Sequence, residues 1–243
     1  MRRYVPYLLT GVITLAFVAG STVRSEAAMV AYICSDAACS LGSDIIVADN
    51  AAGDNLSGVN GAIQLTTTNF NGWEIVSNTY ESKPALGSAA LPQLDISYSV
   101  TNIAGTSAGT IFLFVSDTGF TGNVDITEHI GGTSTVGNYQ LLAAGFGGTS
   151  NTNLDLSNEL CGLGGFTGAA YSQSCNGGSV PLVNPYSLTL GLLIRPFNAD
   201  LPLGGGAVTG DLNLTSRAVT EPATLLMLGT GLIGAAIRRR RAA

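Results

Sequence analysis

Positive charge is almost missing from the body of this 243-residue chain. Between residues 28 and 219 the only cations are Lys83, Arg195 and Arg217, set against fourteen acids, a balance of about −11. Nucleic-acid binding needs clustered Lys and Arg to displace counterions, and adhesion to anionic lipid needs them too, so both classes are excluded for this segment. Histidine occurs once, at His129, and tryptophan once, at Trp73. A single imidazole removes multi-histidine metal centres and leaves general-base chemistry one histidine to work with. Helical periodicity is nearly absent from the body, and long apolar runs occur only at the two ends.

The C-terminal end is the most informative stretch. Glu221-Pro222 is followed by an apolar run from Ala223 to Ile237 and then by Arg238, Arg239, Arg240 and Arg241. As a helix the run would reach about 22 Å, short of a hydrocarbon layer of roughly 30 Å. Gly229, Gly231 and Gly234 weaken it further, which suits brief retention in a membrane better than a permanent span. The four arginines resist translocation and orient the C-terminus to the cytoplasmic side. At the other end, Met1-Arg2-Arg3 precedes a mostly apolar stretch from Val5 to Gly20, and Ser25-Glu26-Ala27 offers small residues where signal peptidase reads. This pattern predicts a cleaved signal peptide ending at Ala27. Ile33 stands where a lipoprotein signal needs a small residue, which argues against lipidation of Cys34.

Glu221-Pro222-Ala223-Thr224, the run Leu-Leu-Met-Leu-Gly-Thr-Gly-Leu-Ile-Gly and the arginine cluster together resemble the PEP-CTERM sorting signal. That resemblance implies processing by the membrane protease-transpeptidase exosortase, with Glu221 and Pro222 as the recognition motif. The chain departs from the family pattern at Thr220, where proline is usual. Asn71-Gly72-Trp73, Lys83-Pro84-Ala85-Leu86-Gly87-Ser88 and Ser116-Asp117-Thr118-Gly119-Phe120-Thr121 also resemble a region of other exported proteins with the same tail. No activity comes with that second likeness.

An exported body with four cysteines is most simply stapled by two disulfides, for which three connectivities exist. Sequence-local pairing, Cys34 with Cys39 and Cys161 with Cys175, is the expectation. The second closes a loop of roughly 15 residues, a constraint of about 3 kcal/mol on the chain-entropy account. Alternation of period two runs through the body. Leu94, Ile96, Tyr98 and Val100 share one face of a strand, and Ser187–Leu190 and Asp211–Thr215 repeat the pattern. Ile111–Val115 and Tyr139–Leu142 read as more deeply buried strands, separated by Asn-Gly and Gly-Gly turn clusters. The expected fold is all-β, an antiparallel β-sandwich of about 8–10 strands flanked by an N-terminal signal helix and a C-terminal membrane helix. The domains are then a signal peptide over 1–27, an exported sandwich over 28–219 and the sorting signal over 220–243.

Candidate chemistry is sparse. Gly105-Thr106-Ser107-Ala108-Gly109 matches Gly-x-Ser-x-Gly, but a strand rather than a helix follows it, so the sequence predicts a hairpin loop and not a nucleophile elbow. Glu128-His129 reads as a surface pair near a strand end. Asp44, Asp49 and Asp54, and separately Asp117, Asp125 and Glu128, are oxygen donors of the kind calcium takes, but neither set matches an EF-hand spacing. Solvated loop acids are the default reading, with structural calcium the minor alternative and no other cofactor expected. Trp73 reads as a core anchor, against a sugar-stacking platform. The chain is therefore expected to be no enzyme. It reads as an exported, exopolysaccharide-associated structural or interaction protein, with a carbohydrate-binding module as the alternative and a secreted hydrolase behind it. Expected partners are exosortase, signal peptidase, the inner membrane transiently and exopolysaccharide.

Overall fold

The computed structural model describes residues 29–136, 139–180, 184–197 and 205–219. The signal peptide, the sorting residues Glu221 and Pro222, the apolar run and Arg238–Arg241 lie outside these residues. So do both expected terminal helices. Among the described residues there are twelve strands, no helix, and hence no helix long and apolar enough to cross a membrane.

The strands are β1 (Val30–Cys34), β2 (Ile45–Ala48), β3 (Ala62–Phe70), β4 (Trp73–Glu81), β5 (Gln93–Asn102) and β6 (Ile111–Phe120). They continue as β7 (Val124–Ser134), β8 (Tyr139–Gly148), β9 (Glu159–Phe166), β10 (Ala170–Val180), β11 (Tyr186–Pro196) and β12 (Gly206–Ala218). Two six-stranded sheets result, ordered β2-β1-β6-β11-β8-β9 and β10-β7-β12-β5-β4-β3. Every recorded pairing is antiparallel. The sandwich is thus as expected in class and larger in strand number. The surplus comes from short β2 and from β9 and β10, whose sequences ELCGLGGF and AYSQSCNGGSV are too rich in glycine and serine to alternate cleanly.

Period-two alternation places the core. On β5 the inward residues are Leu94, Ile96, Tyr98 and Val100, all buried, as their spacing requires. They meet Ile111, Leu113 and Val115 of β6 and Leu188, Leu190, Leu192 and Ile194 of β11 in one cluster. Each such aliphatic side chain, fully buried, contributes about 1.5–3 kcal/mol relative to exposure. A smaller cluster of Tyr32, Cys34 and Phe114 lies apart, joined by Leu154 and Leu156. The Leu154 N–H donates to Ser116 Oγ at 2.9 Å, tying residue 154 to β6.

The turns follow backbone chemistry. Asn71 and Gly72 take φ of 52° and 82° between the paired residues Phe70 and Trp73, a two-residue hairpin of the type that Asn-Gly favours. A Cβ on Gly72 would stand 2.7 Å from the Ser107 carbonyl oxygen, so glycine is required there twice over. Gly131-Gly132, read from sequence as a turn, instead continues β7, with Tyr171 packed over Gly132. The segment 105–109 is also corrected. It joins β5 to β6, which belong to different sheets, so it is a crossover between layers rather than a hairpin.

Candidate functional site

Two polar constellations occupy inward positions of the sandwich, where alternation would place apolar residues. The first is built around Asp117, the inward residue of β6 after Val115 and wholly buried. Its Oδ2 accepts from Lys83 Nζ at 2.8 Å and from Ser82 Oγ at 2.6 Å, and its Oδ1 accepts from the Thr118 N–H at 2.7 Å. Lys83 follows the end of β4 and carries only 7 % of its side-chain exposure. Its ammonium also donates to the Thr118 carbonyl at 2.5 Å and sits 4.3 Å above the Phe120 ring. A carboxylate and an ammonium so enclosed are each satisfied by several donors or acceptors, which is the condition under which a buried pair is tolerated. The arrangement ties the end of a strand in one sheet to the middle of the other.

The second constellation centres on Glu128. Val124, Ile126, Glu128 and Ile130 share the inward face of β7, and Glu128 is as buried as its apolar neighbours. The expectation of a surface Glu-His pair is therefore wrong. Alternation puts His129 on the opposite, outward face, where its Nδ1 lies 2.8 Å from Ser174 Oγ. The two side chains cannot act as a couple. Neither Glu128 oxygen makes a hydrogen bond. Burial, with Glu159 adding like-charge repulsion, pushes its carboxyl up to about 8. The Gly145 amide favours the anion but stands outside hydrogen-bonding geometry and only partly offsets the burial. Glu128 is thus a neutral acid at neutral pH.

The cysteines pair as expected, Cys34 with Cys39 and Cys161 with Cys175. The second disulfide joins β9 and β10, the edge strands of the two sheets on one side. Glu128 stands behind it. Among the described residues, the group with donor atoms placed to hold a metal is Glu128 with Cys161 and Cys175, all within 4.8 Å of one another. Both thiols are already engaged with each other in the oxidised protein.

The other candidates disperse. Asp44 accepts the Ser35 and Leu41 N–H groups, Asp54 those of Asn50, Leu56 and Gln64, and Asp49 that of Gly61. These aspartates pin loop backbone. Asp117, Asp125 and Glu128 do not converge: Asp125 pairs with exposed Arg217 at 3.1 Å, while the other two face the core. Ser107 is exposed on its crossover loop, and no hydrogen bond to it from His129 is formed. Trp73 is buried completely and its indole N–H donates to the Gly109 carbonyl at 2.8 Å, a core anchor. Tyr80 is equally buried.

What the second sheet offers solvent includes several polar cross-strand pairs. Cross-strand contacts include Ser97 with Asp211 at 2.9 Å, Thr133 with Thr209 at 3.2 Å and Thr127 with Asn176 at 3.1 Å. Every described aromatic side chain of this sheet, Phe70, Trp73, Tyr80, Tyr98 and Tyr171, is buried. Asp95 lies between Glu81 and Asp211, and desolvation followed by those two charges holds its carboxyl up to about 7. A shallow depression of about 400 Å³ lies at the β3–β4 end, lined by Thr66, Thr67, Thr68, Glu74, Ile75 and Val76. It coincides with register shifts in that ladder and contains no aromatic ring on which a sugar could stack.

Residues 218–241 match the model of the PEP-CTERM protein-sorting motif. That motif implies export, with anchoring in the membrane before cleavage by exosortase. No curated protein matches it. Among solved structures it is similar to the enzymatically active domain of bacteriophage CBA120 tailspike protein 4, at 10% identity and TM-score 0.32, covering 60% of this chain and 19% of that one. It is also similar to the VP2 subviral particle of infectious bursal disease virus, at 12% identity and TM-score 0.34, covering 80% and 54%. A third likeness is to carbohydrate-binding modules of the β-sandwich superfamily, at 13% identity and TM-score 0.31, covering 72% and 65%. The chain spans less than two thirds of each, and none of these likenesses bears on function.

Proposed function

We propose that this protein is a non-catalytic structural or interaction component of the cell surface or its exopolysaccharide matrix, delivered by exosortase. The sorting motif at residues 218–241 carries the reading. The outer face of the second sheet supports it, since cross-strand hydroxyl, amide and carboxylate pairs suit a hydrated polysaccharide or a neighbouring surface protein. Trp73 and Tyr80 are core residues and offer no ring on which a sugar could stack. The carboxyls of Asp117 and Glu128 are buried inside the sandwich.

Intact-mass measurement of protein from the surface and matrix fractions of exosortase-competent cells tests the proposal. The expected species starts near Ala28, ends near Glu221-Pro222 and is lighter by the four hydrogens of two disulfides. Recovery only from the inner membrane, with Arg238–Arg241 retained, would refute it.

A further inference from the structure

Glu128 has no structural reason to be an acid. Its place between Ile126 and Ile130 on the inward face of β7 asks for an aliphatic residue, and neither of its oxygens forms a hydrogen bond. A buried polar group left in this state costs on the order of 1–3 kcal/mol. Its surroundings are nonetheless fitted to it. Glu128 and Cys175 are register partners on β7 and β10, so their side chains stand side by side on one face. Directly across the sandwich, Gly145 and Cys161 are register partners on β8 and β9. Gly145 supplies the room, since a Cβ there would come within 2.9 Å of both Glu128 Oε2 and Leu214 Cδ1. The carboxyl therefore has its own niche, opening onto the sulfurs of a disulfide that joins the two sheets.

The two sulfurs are unequal. Cys161 is buried, whereas Cys175 is only partly so. A thiolate arriving from solvent meets Cys175 first, and the sulfur it displaces is that of Cys161. A thiolate released into that apolar interior is disfavoured unless it is protonated as it leaves.

From this geometry we infer that Cys161–Cys175 is a thiol–disulfide exchange site for an external dithiol, with Glu128 as the proton donor to the departing sulfur. The incoming thiolate bonds to Cys175 Sγ as the Cys161–Cys175 bond breaks, and the Glu128 proton passes to Cys161 Sγ. The second thiol of the reductant then attacks the mixed disulfide and releases Cys175. The reductant is oxidised to its disulfide by two electrons, the protein gains two thiols, and its proton balance returns Glu128 to the neutral form. The group is a neutral acid over the range where this matters, because burial and then Glu159 hold its proton in place. Val124, Ile126 and Ile130 on its own face of β7 carry no charge, and its partner on β12 is Leu214. His129 lies on the far face, beside Ser174. The surface role proposed above does not depend on this site, and each can fail without the other.

The experiment uses the exported, oxidised protein with dithiothreitol as the probe, and reads each disulfide separately by alkylation and peptide mass spectrometry between pH 6 and 9. Cys34–Cys39, whose loop carries Asp36 with its carboxylate held by the Ala38 N–H and the Ser40 hydroxyl, is the internal reference. The Cys161–Cys175 rate, corrected for thiolate concentration, is expected to fall as pH rises through about 8, while the reference stays flat. Glu128→Gln, which matches the neutral acid in shape, is expected to slow opening about 100-fold and to abolish that pH dependence, consistent with loss of a positioned proton donor. Glutathione should leave its mixed disulfide on Cys175. Equal rates and parallel profiles for wild type and variant, or an adduct on Cys161, would overturn the inference. The wild-type profile alone decides the matter if the variant does not fold.

Discussion

Replacing Lys83 by methionine isolates the worth of the buried ion pair that joins the two sheets. Methionine keeps the length and apolar stem of the side chain and deletes the ammonium that lies 2.8 Å from Asp117. Asp117 would keep the Ser82 hydroxyl and the Thr118 N–H, but not its counter-charge, and it has no exposure through which water could compensate. Breaking such a pair from one side costs about 3–5 kcal/mol. Loss of the ammonium above the Phe120 ring adds about 0.5–2 kcal/mol. For a domain of this size 1 kcal/mol corresponds to roughly 2–4 °C, so Tm is expected to fall by about 7–28 °C. The companion Lys83→Met/Asp117→Leu removes both charges but takes partners from the Ser82 hydroxyl, the Thr118 N–H and the Thr118 carbonyl. It should recover part of the loss, since the groups left behind are neutral. Urea unfolding of the oxidised wild type, both single variants and the double supplies the coupling energy, provided the slopes agree. A loss below about 1 kcal/mol for Lys83→Met, or a double variant as weak as the two singles summed, would refute the reasoning that links burial to the pair's strength.

Glu128 makes stability depend on pH in a direction opposite to that of a salt-bridged acid. Its folded value of about 8 stands above an unfolded value of 4.5, so the folded chain keeps a proton that the unfolded chain has released. The stability this provides is complete below pH 4.5 and lost as pH climbs to about 8, at up to about 1.4 kcal/mol per pH unit. Asp95, raised to about 7, acts with the same sign. Glu128→Gln should therefore match wild type near pH 4.5 and exceed it by about 3–6 kcal/mol at pH 8, and unfolding curves of equal pH slope would rule this out. Trp73, the only tryptophan, should emit at short wavelength and resist iodide quenching, with no response to oligosaccharides. Trp73→Phe should cost about 1–3 kcal/mol through the lost Gly109 hydrogen bond and volume. A red-shifted emission that responds to sugar would instead place the indole at a binding face.

The sheets were legible wherever side-chain alternation was strong. Leu94, Ile96, Tyr98 and Val100 announce β5, and Ile111–Val115 announce β6, because a period of two with β-branched and aromatic residues has no competing helical reading. Strands β9 and β10 were hidden because their glycines serve close packing rather than turning, as where Gly164 backs onto Leu142 and Gly177 onto Leu160. Glu128 was in plain view. Val124, Ile126, Glu128 and Ile130 form a period-two set with one acid in it, and following that phase through the strand would have placed the carboxyl inside. What no local pattern gives is its neighbourhood. Cys161, Cys175 and Gly145 lie on three other strands, and their convergence depends on the order of strands in both sheets. The Lys83–Asp117 pair, 34 positions apart, was out of reach for the same reason.

Strand order also bears on how the tail is handled. The sorting motif begins at residue 218, which is the last residue of β12, and Ala218 is still paired with Val124. Glu221 lies three positions further on, a distance of about 10 Å for extended chain. Only Val219 and Thr220 separate the last paired residue of β12 from Glu221 in the sequence. β12 pairs with β5 over residues 206–215 and with β7 over residues 208–218, so its last three residues are held by β7 alone. Acidity acts at the same range. A body of net charge about −11, held within a Debye length or so of anionic headgroups, is repelled by them, and nothing in residues 28–219 offers a cationic patch to keep it there.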